Sequence, residues 1–166
     1  FAPLSDAERT GVLVHEFYHL VFEHVTGRLP DELAGVMTLD PREVTKEQAG
    51  LFKLWNIAAD LSINCLIGRS RLPENCCYPG EGPFAELPSD LTAEWYFEKL
   101  KEMQEESQGE GEGEGGEGEG SGGSGGFDPD DCGQFDDHGD WGTGDGEASE
   151  AAQAIAKERL KEAIEK

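Results

Sequence analysis

A chain of 166 residues fits a single domain. Its formal net charge of −23 repels polyanions, which argues against nucleic acid as a partner and favours a cation or a basic peptide or protein. No apolar run approaches the ~20 residues of a membrane span, and no secretory leader is visible, so a cytoplasmic protein with no membrane partner is expected.

The charge is uneven. Residues 104–150 hold 16 of the 36 acidic residues and none of the 13 Lys and Arg, which leaves the rest of the chain at −7. Phe1 stands where an initiator Met would, as expected of a trimmed or fragment end.

The first predicted helix runs from about Ser5 to Thr26. Ser5 and Glu8 form a capping box, and Gly27 is a natural stop. Val12, Leu13, Val14, Phe17, Tyr18, Leu20, Val21 and Phe22 make it apolar almost all round, which predicts burial on every side. Residues 28–44 read as a loop, with a short strand at Val36–Leu39. A second capping box, Thr45 to Gln48, opens a helix that runs to Ile67 and stops at Gly68. Residues 69–89, rich in Pro, Gly and Cys, read as a long loop. The third helix starts near Thr92 and turns Trp95, Phe97 and Leu100 towards a core. Residues 108–126 are Glu, Gly and Ser with one Gln, the composition of a flexible acidic insert. Order is expected again at Phe135–Trp141 and in a last helix over 147–164. The fold class is mostly α (α+β at most). Residues 1–107 form the core, 108–126 the insert, and 127–166 the returning loop and C-terminal helix of the same domain.

His15-Glu16-Phe17-Tyr18-His19 carries the strongest chemical signal. Residues four apart on a helix lie about 40° apart on one face, so both imidazoles reach one metal ion. Glu16 projects from the neighbouring position, close enough to touch a water beside the metal without ligating it. That is the arrangement of a zinc peptidase, in which the metal acidifies the water and the carboxylate takes its proton. The alternative is coincidence, two core histidines and a surface glutamate. It sits poorly with a chain of only 4 histidines and with the cost of unpaired polar groups on an apolar helix.

A catalytic site of this kind needs a third protein ligand. His24 follows five residues after His19, and on a continuous helix it would point about 180° from His15, which makes it a core histidine. The second helix offers Asn56, Asp60 and Asn64 at i, i+4 and i+8 on an otherwise apolar surface. A buried carboxylate flanked by amides is costly unless it meets a cation. Asp60 is therefore the expected third ligand, with Asn56 and Asn64 orienting ligands from behind.

With these residues in hand, the chain resembles a family of bacterial and phage metallopeptidase domains that often precede a von Willebrand factor A-like domain. The resemblance rests on the His15–His19 motif and on Trp55-Asn56-Ile57-Ala58-Ala59-Asp60-Leu61-Ser62-Ile63-Asn64. It extends to Leu72-Pro73, Leu91-Thr92-Ala93-Glu94 and His138-Gly139-Asp140-Trp141. It implies a metal held by His15, His19 and Asp60, with Glu16 catalytic and an A-like domain as a partner. Relatives usually carry strands before the first motif that are not expected in this chain, and zincins commonly align a peptide on such an edge by strand addition.

The function expected is zinc-dependent hydrolysis of a peptide or protein substrate, with Glu16 as general base. His138, in the loop after the acidic insert, is a second catalytic candidate, as proton donor or oxyanion stabiliser. The rival is a non-catalytic module in which the metal is structural and the acidic loop docks a partner protein. None of Cys65, Cys76, Cys77 and Cys132 forms a Cys-x-x-Cys pair, so free thiols are expected, with a bridge from Cys76 or Cys77 to Cys132 as the alternative.

Overall fold

The computed structural model describes residues 4–24, 27–36, 39, 40, 42–109, 127 and 129. These residues form three α-helices joined by loops and short 3-10 turns, with no strand among them: α1 (Asp6–Val21), α2 (Lys46–Ile67) and α3 (Ala93–Gly109). The fold is mostly α, as the sequence predicts. Val36 lies in a turn, and Met37 and Thr38 of the expected strand fall outside the described residues. So do residues 110–126, most of the expected insert, and 130–166 with the expected last helix.

Both capping boxes form. Ser5 Oγ accepts from Glu8 N at 3.2 Å while Glu8 Oε2 accepts from Ser5 N at 2.7 Å. Thr45 and Gln48 make the same reciprocal pair at 3.1 and 3.0 Å. Each box satisfies two backbone donors that a helix start leaves open. At the far end of α2, Gly68 takes φ +88°, a left-handed conformation that favours glycine.

The first helix ends earlier than its composition predicts. Its last residue is Val21, followed by a turn in which Glu23 takes φ 58°. His24 N donates to His19 O at 3.1 Å and Glu23 N to Leu20 O at 3.4 Å. These are the paired bonds of a Schellman stop, with Glu23 where glycine is usual. The turn folds His24 back into the interior. Nor is α1 buried all round: Leu13, Phe17 and Leu20 are 71%, 42% and 39% exposed.

The second helix is the axis of the molecule. Every residue from Leu54 to Leu61 is buried, because it packs against α3 on one flank and α1 on another. Leu54, Ile57, Ala58 and Leu61 meet Tyr96, Phe97 and Leu100 of α3 together with Leu33, Phe84 and Leu87. Sequence patterning puts Trp95 in that core, but Tyr96 takes the place and Trp95 remains 39% exposed. Ile63 and Ile67 meet Val14 and Tyr18 of α1 and Phe22 just after it. Full burial of such a side chain contributes about 1.5–3 kcal/mol, so these two contacts fix how α1 and α2 cross. Trp55 Nε1 donates to His24 O at 2.7 Å and ties the turn after α1 to α2.

Candidate metal centre

Crossing α1 over α2 brings three side chains to one point. His15 and His19 lie one turn apart on the face of α1 that meets α2, and Asp60 rises from the middle of α2. Their exposures are 2%, 1% and 1%. The distances are 3.0 Å between the two Nε2 atoms, 3.4 Å from His15 Nε2 to Asp60 Oδ1, and 3.2 Å from His19 Nε2 to Asp60 Oδ1.

A metal fits this set. Tetrahedral bonds of about 2.0–2.1 Å put neighbouring donor atoms about 3.3–3.4 Å apart, close to the triangle found here. Two imidazole nitrogens and a carboxylate oxygen are also a familiar donor set for a divalent ion. Three such electron-rich atoms buried at these separations repel one another unless a cation or a proton lies among them.

The tautomer of His15 follows from a chain of hydrogen bonds. Asn64 Nδ2 donates to the Cys77 carbonyl at 2.7 Å, which fixes the orientation of the amide. Asn64 Oδ1 therefore faces His15 and accepts from its Nδ1–H at 2.9 Å. With the proton on Nδ1, the lone pair of the neutral ring lies on Nε2 and points at Asp60 and His19. Burial pushes His15 towards its neutral form. The hydrogen bond and charge of Asp60 outweigh it, helped by Asn64 and the charge of Glu16, and the pKa lies above its ordinary 6.5.

Glu16 is half-buried and its Oε2 is enclosed. His24 is 4% exposed and stands behind the triad, its ring centroid 5.5 Å from that of His19 and 5.9 Å from that of Trp55. Burial, followed by the charges of His19 and Arg28, pushes its pKa down to about 3. It is the core histidine that the sequence implies, although it reaches the core by a turn rather than along a continuous helix.

A family model described as "Putative metallopeptidase domain" matches residues 1–166. The chain belongs to this metallopeptidase-domain family. Among curated proteins and solved structures, none matches it. Membership implies a metal cofactor, and the His15, His19 and Asp60 cluster is where the described residues can hold one.

Of the residues singled out from sequence, His15, His19 and Asp60 meet, Glu16 adjoins them, and Asn64 lies directly behind His15. Asn56 is buried on the same stripe of α2. His138 lies outside the described residues, as does Cys132. Among the described residues, Cys65, Cys76 and Cys77 form no disulfide with one another. Sequence reasoning missed the Cys77 carbonyl, because a backbone group carries no sequence signal. No helix among the described residues is long and apolar enough to cross a membrane.

Proposed function

We propose that this domain is a zinc-dependent peptidase in which His15, His19 and Asp60 hold the metal and Glu16 is the general base. The observation that carries the reading is the buried triangle of His15 Nε2, His19 Nε2 and Asp60 Oδ1, with sides of 3.0–3.4 Å. A zinc ion held there by His15, His19 and Asp60 would supply a Lewis acid able to acidify a water beside it. Asn64 keeps the Nε2 lone pair of His15 directed at the centre by holding the Nδ1–H. Asp60 supplies the negative charge that offsets a dication in a buried place. Glu16, one position round the helix from His15, takes a proton from water on its carboxylate and returns it to the departing amine. His138 is proposed as a donor to the developing oxyanion. The acidic character of the chain favours a basic peptide as substrate.

The depth of the triad favours a second reading. Ligands only 1–2% exposed suit a structural metal in an interaction module as well as a catalytic one. Glu16→Gln separates the two, since the amide cannot take a proton. Under the peptidase reading the variant keeps its zinc and loses cleavage of a basic test peptide that the wild type cuts. Equal cleavage by wild type and variant removes Glu16 from the mechanism. No cleavage by zinc-loaded wild type of any peptide in a diverse library favours the structural module.

A further inference from the structure

One side chain, Arg69, ties together several points of the loop after α2. Arg69 Nη1 donates to Pro73 O at 2.9 Å and to Leu72 O at 3.4 Å, and Nη2 donates to Glu74 O at 2.9 Å. Its Nε lies 2.9 Å from both carboxylate oxygens of Glu81, and Nη1 lies 3.8 Å from Cys76 Sγ. Few side chains other than arginine present so many donors in one rigid fork. Arg69 therefore fixes the path of residues 72–76 and of Glu81, on both sides of Cys77.

That path decides where the Cys77 carbonyl points, and the carbonyl is what Asn64 holds. The connection is continuous: Arg69 to the carbonyls of Leu72, Pro73 and Glu74, the loop to Cys77 O, Cys77 O to Asn64 Nδ2, and Asn64 Oδ1 to His15 Nδ1. The turn that carries Arg69 also rests on α1. Gly11 packs against the Arg71 backbone so closely that no Cβ fits between them. Gly11 and His15 are one helical turn apart on the same face of α1. The loop is thus anchored to the helix whose imidazole it orients.

We propose that Arg69, which touches none of the three metal-holding side chains, is a positioning residue for His15, acting through the Cys77 carbonyl and the Asn64 amide. Its work is to keep the amide from turning over. Without a carbonyl at 2.7 Å, Asn64 gains nothing by keeping its nitrogen towards Cys77. A turned amide presents NH2 to His15 Nδ1 and drives the proton to Nε2, the atom that must stay unprotonated to bind a metal. The proposal rests on the metal reading for its functional meaning, but the tautomer of His15 is a property of the metal-free chain.

The test is a double-mutant cycle on the full chain with Arg69→Ala and Asn64→Ala. Two readouts are taken: the His15 tautomer by nitrogen-15 NMR of the metal-free protein, well above the ordinary imidazole range, and the affinity for zinc by competition with a chromophoric chelator. The expected wild-type ring is protonated on Nδ1. Arg69→Ala shifts it towards the Nε2–H form and weakens zinc by about tenfold, as loss of an outer ligand partner does. The double variant binds zinc no more weakly than Asn64→Ala alone, because both changes cut one connection. Arg69→Lys keeps the charge without the fork, is the milder variant should Arg69→Ala fail to fold, and is expected to shift the tautomer in the same direction. An unchanged tautomer in either folded Arg69 variant, or fully additive losses of affinity, overturns the proposal. Absence of zinc binding in the wild type overturns the metal reading instead, and the tautomer alone then decides the role of Arg69.

Discussion

Asn64 and His15 are 49 residues apart in the chain and meet at 2.9 Å, Oδ1 to Nδ1. The contact joins α2 to α1 at the point where the candidate metal atoms converge. It leaves His15 with one nitrogen committed to the protein and one facing Asp60 and His19.

Removing that partner has two measurable effects. Asn64→Ala removes two buried hydrogen bonds, to the Cys77 carbonyl and from the His15 Nδ1–H, at a cost of roughly 1–3 kcal/mol. It also frees the ring, and zinc affinity is expected to fall about 10- to 100-fold. Urea unfolding of the metal-free protein reads the first effect, and chelator competition reads the second. Wild-type values for both would show that the contact is idle.

Gly11 predicts a steric effect. A methyl group there runs into the Arg71 carbonyl oxygen, a backbone atom that moves only with its turn. Gly11→Ala is expected to destabilise the protein by roughly 1–3 kcal/mol despite alanine's better helix propensity. A rise in the urea midpoint would mean that α1 and the Arg69–Arg71 turn do not meet as described.

His24 predicts an acid limb in the stability of the metal-free protein. Its folded pKa, about 3, lies below the ordinary 6.5 of an unfolded chain. The neutral ring therefore contributes stability in full above pH 6.5, and this is lost as pH falls from 6.5 towards 3, because only the unfolded chain takes up the proton. The slope from this group is at most about 1.4 kcal/mol per pH unit. His24→Leu is expected to flatten that limb. Equal acid sensitivity in wild type and variant, measured by urea midpoints across the window, would show that His24 titrates normally in the fold.

The parts of this architecture that the sequence revealed are those governed by local rules. Ser5 and Thr45 announce their helices because a capping box is a contact across three residues. His15 and His19 announce a shared centre because helix periodicity alone puts them on one face. Asp60 could be paired with them because a carboxylate on so apolar a helix must meet something. The parts that stayed hidden depend on tertiary contacts or on backbone atoms. Gly27 looks like the stop of α1, yet the helix ends with Glu23 in the left-handed position that glycine usually takes. Leu13, Phe17 and Leu20 are as apolar as Val14 and Tyr18, and only the placement of α2 decides which of them are covered. Trp95 and Tyr96 are neighbours that patterning cannot rank, and a small rotation of α3 buries the second. Arg69 holds its loop partly through three backbone carbonyls, those of Leu72, Pro73 and Glu74, which no sequence pattern marks.

Whether His15, His19 and Asp60 hold a metal is read by elemental analysis of the purified wild type and Asp60→Ala side by side, with melting curves taken with and without a chelator. About one zinc per wild-type chain is expected, and little in the variant. A chelator should lower the wild-type melting temperature alone. The shift should be roughly 10 °C if free zinc had stood at about a thousand times its dissociation constant, a stabilisation of about 4 kcal/mol. Wild-type protein without metal, melting at the same temperature with and without the chelator, would contradict a metal held by these residues.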